Sequence, residues 1–392
     1  MRKRLTEKQL DNICVDKLRK GSIKAVGGVD TLYFFSDVTG ELYHNFFFSE
    51  IDDLEKGSVL RYSFDNSYGY DEFYQLEYLG YSGTSNSFIG HWFHFYIKSE
   101  RCYVLIARIG FKNPKKQHNV LNCFVQLEGS SIYTFGVLKS TSFIFDFLNT
   151  KFNTSVGYSN SQVTRVDVNA FINYDFSNIN KQNFRTCLSR HGDNAGETYE
   201  FGNRGNVETI TFGKRGSCVY FKLYNKLLEL RQKVSSSSFI KAYYLACNFD
   251  IPYDEILKYQ PDYDVWNLEF SFNREIIKQF NLYTLDNVLN SVVSLFKYGM
   301  DYVVFLGYDT AMIQKKRDNN KQHLLKPYEL WSYIKENASF NTYEFSDDYI
   351  NRVIKKSAGA HKDFYITMIK AQLRHIRENG LSLTQEEFLE LY

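Results

Sequence analysis

Three segments of the chain place acidic, basic or phenolic side chains at every second position, and these residues could carry chemistry. The segments span residues 162–171, 217–226 and 265–274. In a β-strand, alternate side chains point to opposite faces, so each segment would have one apolar face and one polar face. The polar faces would hold Arg165, Asp167 and Asn169 in the first segment, Tyr220, Lys222, Tyr224 and Lys226 in the second, and Asn267, Glu269 and Ser271 in the third.

If these strands are neighbours in one sheet, their polar side chains converge on a single surface. Asp167 and Glu269 would then offer oxygen ligands to Mg²⁺ or Mn²⁺ and leave positions for water and a phosphate oxygen. A phenol with an ordinary pKa near ~10 is a poor nucleophile, but Lys222 or Lys226 would stabilise the developing phenolate. The pattern therefore indicates tyrosine attack on a phosphodiester, with a metal as Lewis acid and a 5'-phosphotyrosine as product.

Ordinary structural roles explain the same residues. Arg165 and Asp167 would form a surface ion pair, and Tyr220 and Tyr224 would be amphipathic strand residues with phenols at the water boundary. The second alternative is strong in a chain with 31 tyrosines. The pattern alone leaves both readings open.

The elements that must position these residues follow from local patterns. A helix is predicted over residues 5–20, because Thr6 and Gln9 form a capping box and Gly21 ends the apolar periodicity. Short Tyr-, Phe-, Val- and Ile-rich runs from Val29 to about Asp175 predict a meandering antiparallel sheet. Further helices are predicted within 231–264, over 284–300 and from about 311 onward.

The expected fold class is α+β, with a central, mostly antiparallel β-sheet, flanking helices and a helical C-terminal region. The expected domains are an N-terminal helix (1–27), a catalytic domain (28–310) with inserted loop and helices at 231–264, and a basic helical region (311–392). A chain of 392 residues with 44% hydrophobic residues is long enough for such a core.

Charge and cysteine usage limit the function classes. The net charge is only +2, so any nucleic-acid footprint must be local. The six cysteines are scattered without a C-x-x-C pair, which argues against a zinc site or a disulfide framework and favours a reducing cytosol. No export signal is visible, and the most apolar late stretch, 292–306, falls short of a membrane span. We therefore expect a cytoplasmic protein with no membrane partner.

Taken in order, the motifs resemble those of the trans-acting Rep initiators of Gram-positive rolling-circle plasmids and the related MobT-type relaxases. The likeness spans roughly residues 28–335. It is carried by Gly28-Val29-Asp30-Thr31-Leu32, Thr164-Arg165-Val166-Asp167, Thr211-Phe212-Gly213-Lys214-Arg215-Gly216-Ser217, Tyr220-Phe221-Lys222-Leu223-Tyr224-Asn225-Lys226 with Glu229, Trp266-Asn267-Leu268-Glu269 with Arg274, and finally Arg317, Pro327 and Trp331.

The resemblance implies roles for particular residues. Asp167 and Glu269 would be metal ligands, and Tyr224 would be the nucleophile with Tyr220 as its reserve. Lys214 and Arg215, in a glycine-flanked turn, would bind backbone phosphates, although a plain hairpin turn explains them equally well. The remaining DNA-binding expectations are Arg165, Arg274, Lys315, Lys316 and Arg317. The third metal ligand is left open, because Asn169 to Asn173 lacks the acid that relatives often carry there.

The function expected from these features is metal-dependent nicking of single-stranded or cruciform origin DNA to start rolling-circle replication of a plasmid or phage. A conjugative relaxase would use the same chemistry. A non-catalytic DNA-binding initiator, or a phage structural protein, would need neither Tyr224 nor a metal. A host helicase and a second copy of the chain are further expected partners.

Overall fold

Alternating apolar and polar residues produce the dominant feature of the fold, a large β-sheet. The computed structural model describes residues 5–51, 53–65, 71–81, 90–98, 103–114, 121–186, 207–214, 216–232, 236–256, 263–319, 321 and 324–340. Its strands are β1 (Ala25–Ser36), β2 (Val59–Asp65), β3 (Asp71–Tyr81), β4 (His91–Lys98), β5 (Tyr103–Phe111), β6 (Cys123–Leu127), β7 (Gln162–Ile172), β8 (Phe184–Thr186), β9 (Thr209–Phe212), β10 (Val219–Asn225), β11 (Trp266–Asn273), β12 (Val303–Phe305) and β13 (Ser339–Phe340).

Within these ranges, eleven strands form one sheet, and ten of them lie in the order β2-β3-β4-β5-β6-β1-β7-β11-β10-β9. All neighbours in this order are antiparallel, whereas β13 pairs with β1 in parallel at Val26 and Gly27. β12 and β8 form a separate antiparallel pair. The expected α+β class with a central, mostly antiparallel sheet is thus confirmed.

Helices flank this sheet. They are α1 (Glu7–Arg19), α2 (Glu41–Asn45), α3 (Gly129–Phe152), α4 (Lys226–Gln232), α5 (Ser236–Phe249), α6 (Tyr253–Ile256), α7 (Arg274–Gln279), α8 (Leu285–Leu289), α9 (Val292–Tyr302), α10 (Thr310–Asp318) and α11 (Glu329–Asn337), with a π-helical segment at Phe46–Ile51 and a 3₁₀ turn at Lys181–Asn183. None of the helices in the described ranges has both the length and the apolar character needed to cross a bilayer.

The longest helix of the described ranges, α3, lies where the sequence predicted only strands. Its Phe, Ile, Ser and Thr residues are typical of strands, yet the helix forms because it buries an apolar stripe that includes Ile144, Phe147 and Leu148. Gly136 has a φ of 78° and interrupts the helical backbone. The strand prediction for this stretch was therefore wrong, because packing outweighed local propensity.

α3 and α9 cover the apolar face of the sheet. Phe145 of α3 contacts Phe34 of β1, and Phe296 of α9 contacts Phe270 of β11. Gly299 of α9 lies so close to Phe270 that a Cβ atom there would be 2.5 Å from the ring. The opposite, polar face is the one that carries the candidate site.

The predicted insertion at 231–264 forms helices, and these helices belong to the core. Ala242 and Leu245 of α5 are fully buried in a cluster with Val26 of β1 and Phe171 of β7. Phe171 shares a face with Asp167 and Asn169 by strand alternation, so α5 covers one end of the polar face. The described part of this segment is thus a packed layer rather than a peripheral loop.

The predicted N-terminal helix and the later helices are present. α1 begins at the Thr6–Gln9 capping box, and its Glu7 and Asp11 accept hydrogen bonds from Thr310 and Tyr328. The helix predicted over 284–300 is divided into α8 and α9. Apart from Gln279–Asn281, the described residues form one compact unit. The domain boundaries stay a prediction, and residues 341–392 lie outside the described ranges.

Candidate active site

β11 lies between β7 and β10, so the three polar segments are neighbours in the sheet as expected. Glu269 is opposite Asn169 on one side and Lys222 on the other. Two residues further along β11, Ser271 is opposite Asp167 of β7 and Tyr220 of β10. Because paired residues share a face, the predicted acids, phenols and Lys222 lie on one surface.

An open cleft of about 310 Å³ lies on this surface. Its lining combines positive, negative and phenolic groups, namely Arg165, Lys222, Glu269 and Tyr220, together with Ser271, Phe272, Asn273 and the turn residues Gly216 and Ser217. The cations are suited to a phosphate, and the carboxylate is suited to a metal ion or a proton.

Asp167 is engaged by Arg165 through two hydrogen bonds. Arg165 Nε donates to Oδ1 at 2.8 Å and Nη2 donates to Oδ2 at 2.6 Å. The Asp167 side chain is only 2% exposed, whereas that of Arg165 is 42% exposed. Burial raises the pKa of Asp167, and the hydrogen bonds and charge of Arg165 oppose that rise. Asp167 is therefore a buried side chain whose two carboxyl oxygens both already accept a hydrogen bond from Arg165.

Glu269 is the carboxyl that lines the cleft, and its pKa is raised. Burial, followed by the charges of Asp30 and Asp167, raises its pKa to about 8, although Lys222 and Lys226 pull the pKa down. Such a carboxyl keeps its proton near neutral pH and releases it when a cation binds. This environment is typical of functional sites, although structural networks also produce it.

Tyr224 is buried, with 4% of its surface exposed. Its phenolic oxygen accepts hydrogen bonds from Asn267 Nδ2 at 2.9 Å and Lys226 Nζ at 3.3 Å. Burial raises its pKa well above the ordinary value, and the charges of Glu269, Glu229 and Asp30 raise it further. The phenol is thus held by two donors but is not positioned in the open cleft.

The basic residues beside Tyr224 differ from expectation in one respect. Lys226 is the first residue of α4 rather than part of the strand, because β10 ends at Asn225. Its ammonium is nonetheless beside Tyr224, where it also donates to Glu229 at 2.6 Å. The Lys222 ammonium lies 3.8 Å from the centre of the Tyr224 ring. Tyr220, by contrast, is partly exposed and lines the cleft.

Asp30 was not assigned a role from the sequence, although it lies within the Gly28-to-Leu32 motif. A β-bulge between Val29 and Thr31 displaces it from the regular register of β1 and β7. Tyr133 donates a hydrogen bond to its carboxylate, and Lys241 lies 3.7 Å away. Burial acts to raise the pKa of Asp30, but Lys241, Lys226 and the Tyr133 hydrogen bond hold it below its usual value. The signal that could have found it is a lone acid within an apolar strand run.

The carboxylates suit a hard divalent cation by their chemistry. Asp30, Asp167 and Glu269 belong to the consecutive strands β1, β7 and β11, and the charges of Asp30 and Asp167 both act on Glu269. In the described part of the chain, no group of three or more His, Cys, Asp or Glu side chains is arranged closely enough to hold a metal ion. A cation held by all three carboxylates would therefore require these side chains to turn toward one another.

The other predicted DNA-binding residues lie in several different places. The Lys214 side chain is exposed, and its carbonyl accepts from Ser217 in the hairpin turn before β10. Arg274 donates to Gln162 at 2.6 Å. Arg317 donates to the Phe184 carbonyl at 2.6 Å, which gives it a structural role. Lys315 and Lys316 lie beside it on α10, and Arg215 is outside the described residues.

No protein-family model matches this chain, and no curated protein matches it either. The resemblance to Rep initiators and MobT-type relaxases therefore stays a prediction that rests on the motifs.

Proposed function

We propose that this protein is a metal-dependent, site-specific single-strand DNA endonuclease that becomes linked to a 5' phosphate through tyrosine and so initiates rolling-circle replication. The observation that carries the proposal is the adjacency of β7, β11 and β10. That adjacency brings Asp167, Glu269, Tyr220, Lys222 and Tyr224 from distant parts of the chain to one polar surface.

In the proposed reaction, Tyr224 attacks phosphorus. A bond forms between the phenolic oxygen and phosphorus, the bond to the 3' oxygen breaks, and the phenolic proton is transferred overall to that oxygen. Lys226 and Asn267 already donate to the phenolic oxygen and would stabilise its negative charge. The phosphotyrosine conserves the phosphodiester energy, so the strand can be rejoined without ATP.

Glu269 and Asp167 would hold Mg²⁺ or Mn²⁺, with Asp30 as the third carboxylate. The cation would supply Lewis-acid activation of the scissile phosphate. Release of Asp167 from Arg165 would leave the arginine able to bind a phosphate oxygen, and Lys222, which also lines the cleft, would do the same.

The deciding experiment is a search for a covalent adduct. The protein is incubated with Mn²⁺ and labelled single-stranded DNA from the replicon that encodes it, and the label is followed through denaturing electrophoresis. Tyr224→Phe should abolish the adduct, while Tyr283→Phe, at a tyrosine that is 47% exposed, should leave it unchanged.

If Tyr220→Phe loses the adduct and Tyr224→Phe keeps it, the nucleophile is Tyr220, the phenol that lines the cleft. Asp167→Ala and Glu269→Ala should reduce cleavage more than DNA binding. Absence of an adduct from the wild-type protein on every strand of the replicon would contradict the proposal.

The burial of Tyr224 favours one competing function, a non-catalytic DNA-binding initiator. Such a protein would bind the origin equally well with either tyrosine replaced and would form no adduct. A conjugative relaxase would form the same adduct, but on a transfer origin.

A further inference from the structure

The polar face of the sheet continues beyond the cleft as a surface of aromatic rings. Four of them form what we call the aromatic platform: Tyr33 and Phe35 of β1, Trp92 of β4 and Phe124 of β6. Phe124 contacts the other three, with ring centres 6.0 Å from Tyr33, 4.5 Å from Phe35 and 5.8 Å from Trp92. The rings therefore form one continuous group.

Strand register places the platform on the same face as the cleft. Tyr33 is paired with Arg165 of β7 on one side and with Gln126 of β6 on the other, and Phe35 is paired with Phe124. All four rings are partly exposed, whereas residues on the other face of the same strands, such as Phe34, Phe93 and Val125, are fully buried. The platform is thus an open apolar surface and not a part of the core.

Two arginine side chains lie over rings of the platform. The Arg108 guanidinium carbon is 4.3 Å from the centre of the Trp92 ring, and the Arg165 guanidinium is 5.4 Å from that of Tyr33. Lys112 Nζ is 5.3 Å from the centre of the Phe35 ring, but the Lys112 side chain is buried and is not counted among the cations that a ligand could meet. Arg108 Nε makes no hydrogen bond in the part of the chain that the structure describes. Glu128 and Asp167 are the acids that act on Tyr33, and Asp167 is already paired with Arg165.

We propose that the aromatic platform binds a short run of unpaired DNA bases and guides the adjoining phosphate into the cleft. This inference rests on the proposed function. Aromatic rings interleaved with arginines bind single strands, because every base has a face that can stack and every nucleotide carries a phosphate. Arg165 connects the two regions, since it lies over Tyr33 and also lines the cleft. A duplex would not fit this surface, because its bases are already stacked on each other.

The test uses the intrinsic fluorescence of the full-length protein. Two of its three tryptophans, Trp266 and Trp331, are 0% and 1% exposed, so Trp92 alone is accessible to a stacking base. The probe is an oligothymidylate of about twelve nucleotides in EDTA, which prevents metal-dependent cleavage. Titration should quench tryptophan emission in the wild-type protein, and Trp92→Phe should remove the quenching but keep most of the affinity.

Affinity is measured in parallel by the anisotropy of a labelled oligothymidylate. Trp92→Leu and Phe124→Leu should each raise Kd about tenfold. Tyr243→Leu, at a ring that is 65% exposed on α5, should leave it unchanged.

Failure of this inference is distinguishable from failure of the proposed function. Binding of the oligonucleotide without quenching, or with no effect of either leucine variant, would overturn the platform while leaving DNA cleavage untouched. Quenching and tenfold effects in a protein that never forms an adduct would support the platform and overturn the nuclease. If Trp92→Leu weakened duplex binding as much as single-strand binding, base stacking would be contradicted. If Trp92→Leu does not fold, a folded Phe124→Leu variant still tests the platform.

Discussion

At the scale of single residues, Glu269 is the acidic side chain of the candidate site at which a negative charge is unfavourable. Its carboxyl is surrounded by two other acids and two lysines, and burial with the acids outweighs the lysines. A group whose pKa is higher in the folded than in the unfolded protein makes its full contribution to stability below the unfolded-state pKa, which is near ~4.3 for glutamate. That contribution is lost as the pH rises toward the folded-state pKa. Each unit of such a shift corresponds to about 1.4 kcal/mol.

The metal-free protein should therefore become less stable to heat between pH 5 and about 8, the pKa to which Glu269 is raised. Glu269→Gln should flatten this dependence, because the amide does not titrate. Mn²⁺ should raise Tm more at pH 8 than at pH 5, since the cation competes with the proton. Thermal denaturation across this range is the measurement.

Glu336→Gln is the control, because the Glu336 side chain is 59% exposed and pairs with Lys297 at the surface. Its pH profile should match that of the wild-type protein. An unchanged profile in Glu269→Gln would show that the proton on Glu269 does not determine the pH dependence.

At the scale of elements, the features that could be predicted from the sequence are those that local patterns determine. The capping box marked α1, and alternation marked β7, β10 and β11, so the acids and phenols could be assigned to one face. Long-range packing determined the rest. α3 forms a helix from residues typical of strands, Asp30 acquires its surroundings from α3 and α5, and Tyr224 is buried by neighbours that its own strand does not reveal.

Close packing of α9 on β11 gives a testable expectation. Gly299→Ala would place a methyl group 2.5 Å from the Phe270 ring, so the helix or the ring must move. We expect a net loss of about 1–3 kcal/mol in the free energy of unfolding, although alanine is the better helix former. Gly157→Ala is the matched control, because nothing lies within 4 Å of its added Cβ. Equal denaturation midpoints for the two variants would contradict this.

At the scale of the whole molecule, a net charge of +2 provides little long-range attraction for DNA. Affinity should come from the local group of Arg108, Arg165 and Lys222. The logarithm of the oligothymidylate affinity should then fall with the logarithm of salt concentration with a slope near about −2. Arg108→Gln should make the slope shallower by about one half to one, as measured by anisotropy titrations between low and physiological salt. A slope several times steeper would place the main DNA contacts elsewhere.

The close approach of Gly299 to Phe270 also affects which substitutions the chain can tolerate. β11 has a strand on each edge and, at Phe270, a helix on its back, so its backbone can move most readily toward the open cleft. If α9 and the Phe270 ring do not absorb the added volume, the adjoining residue, Glu269, is displaced. Under the proposed function, the geometry of the cleft would thus depend on a glycine that never meets the DNA. Under the same proposal, its replacement would yield a protein that folds and binds but turns over slowly.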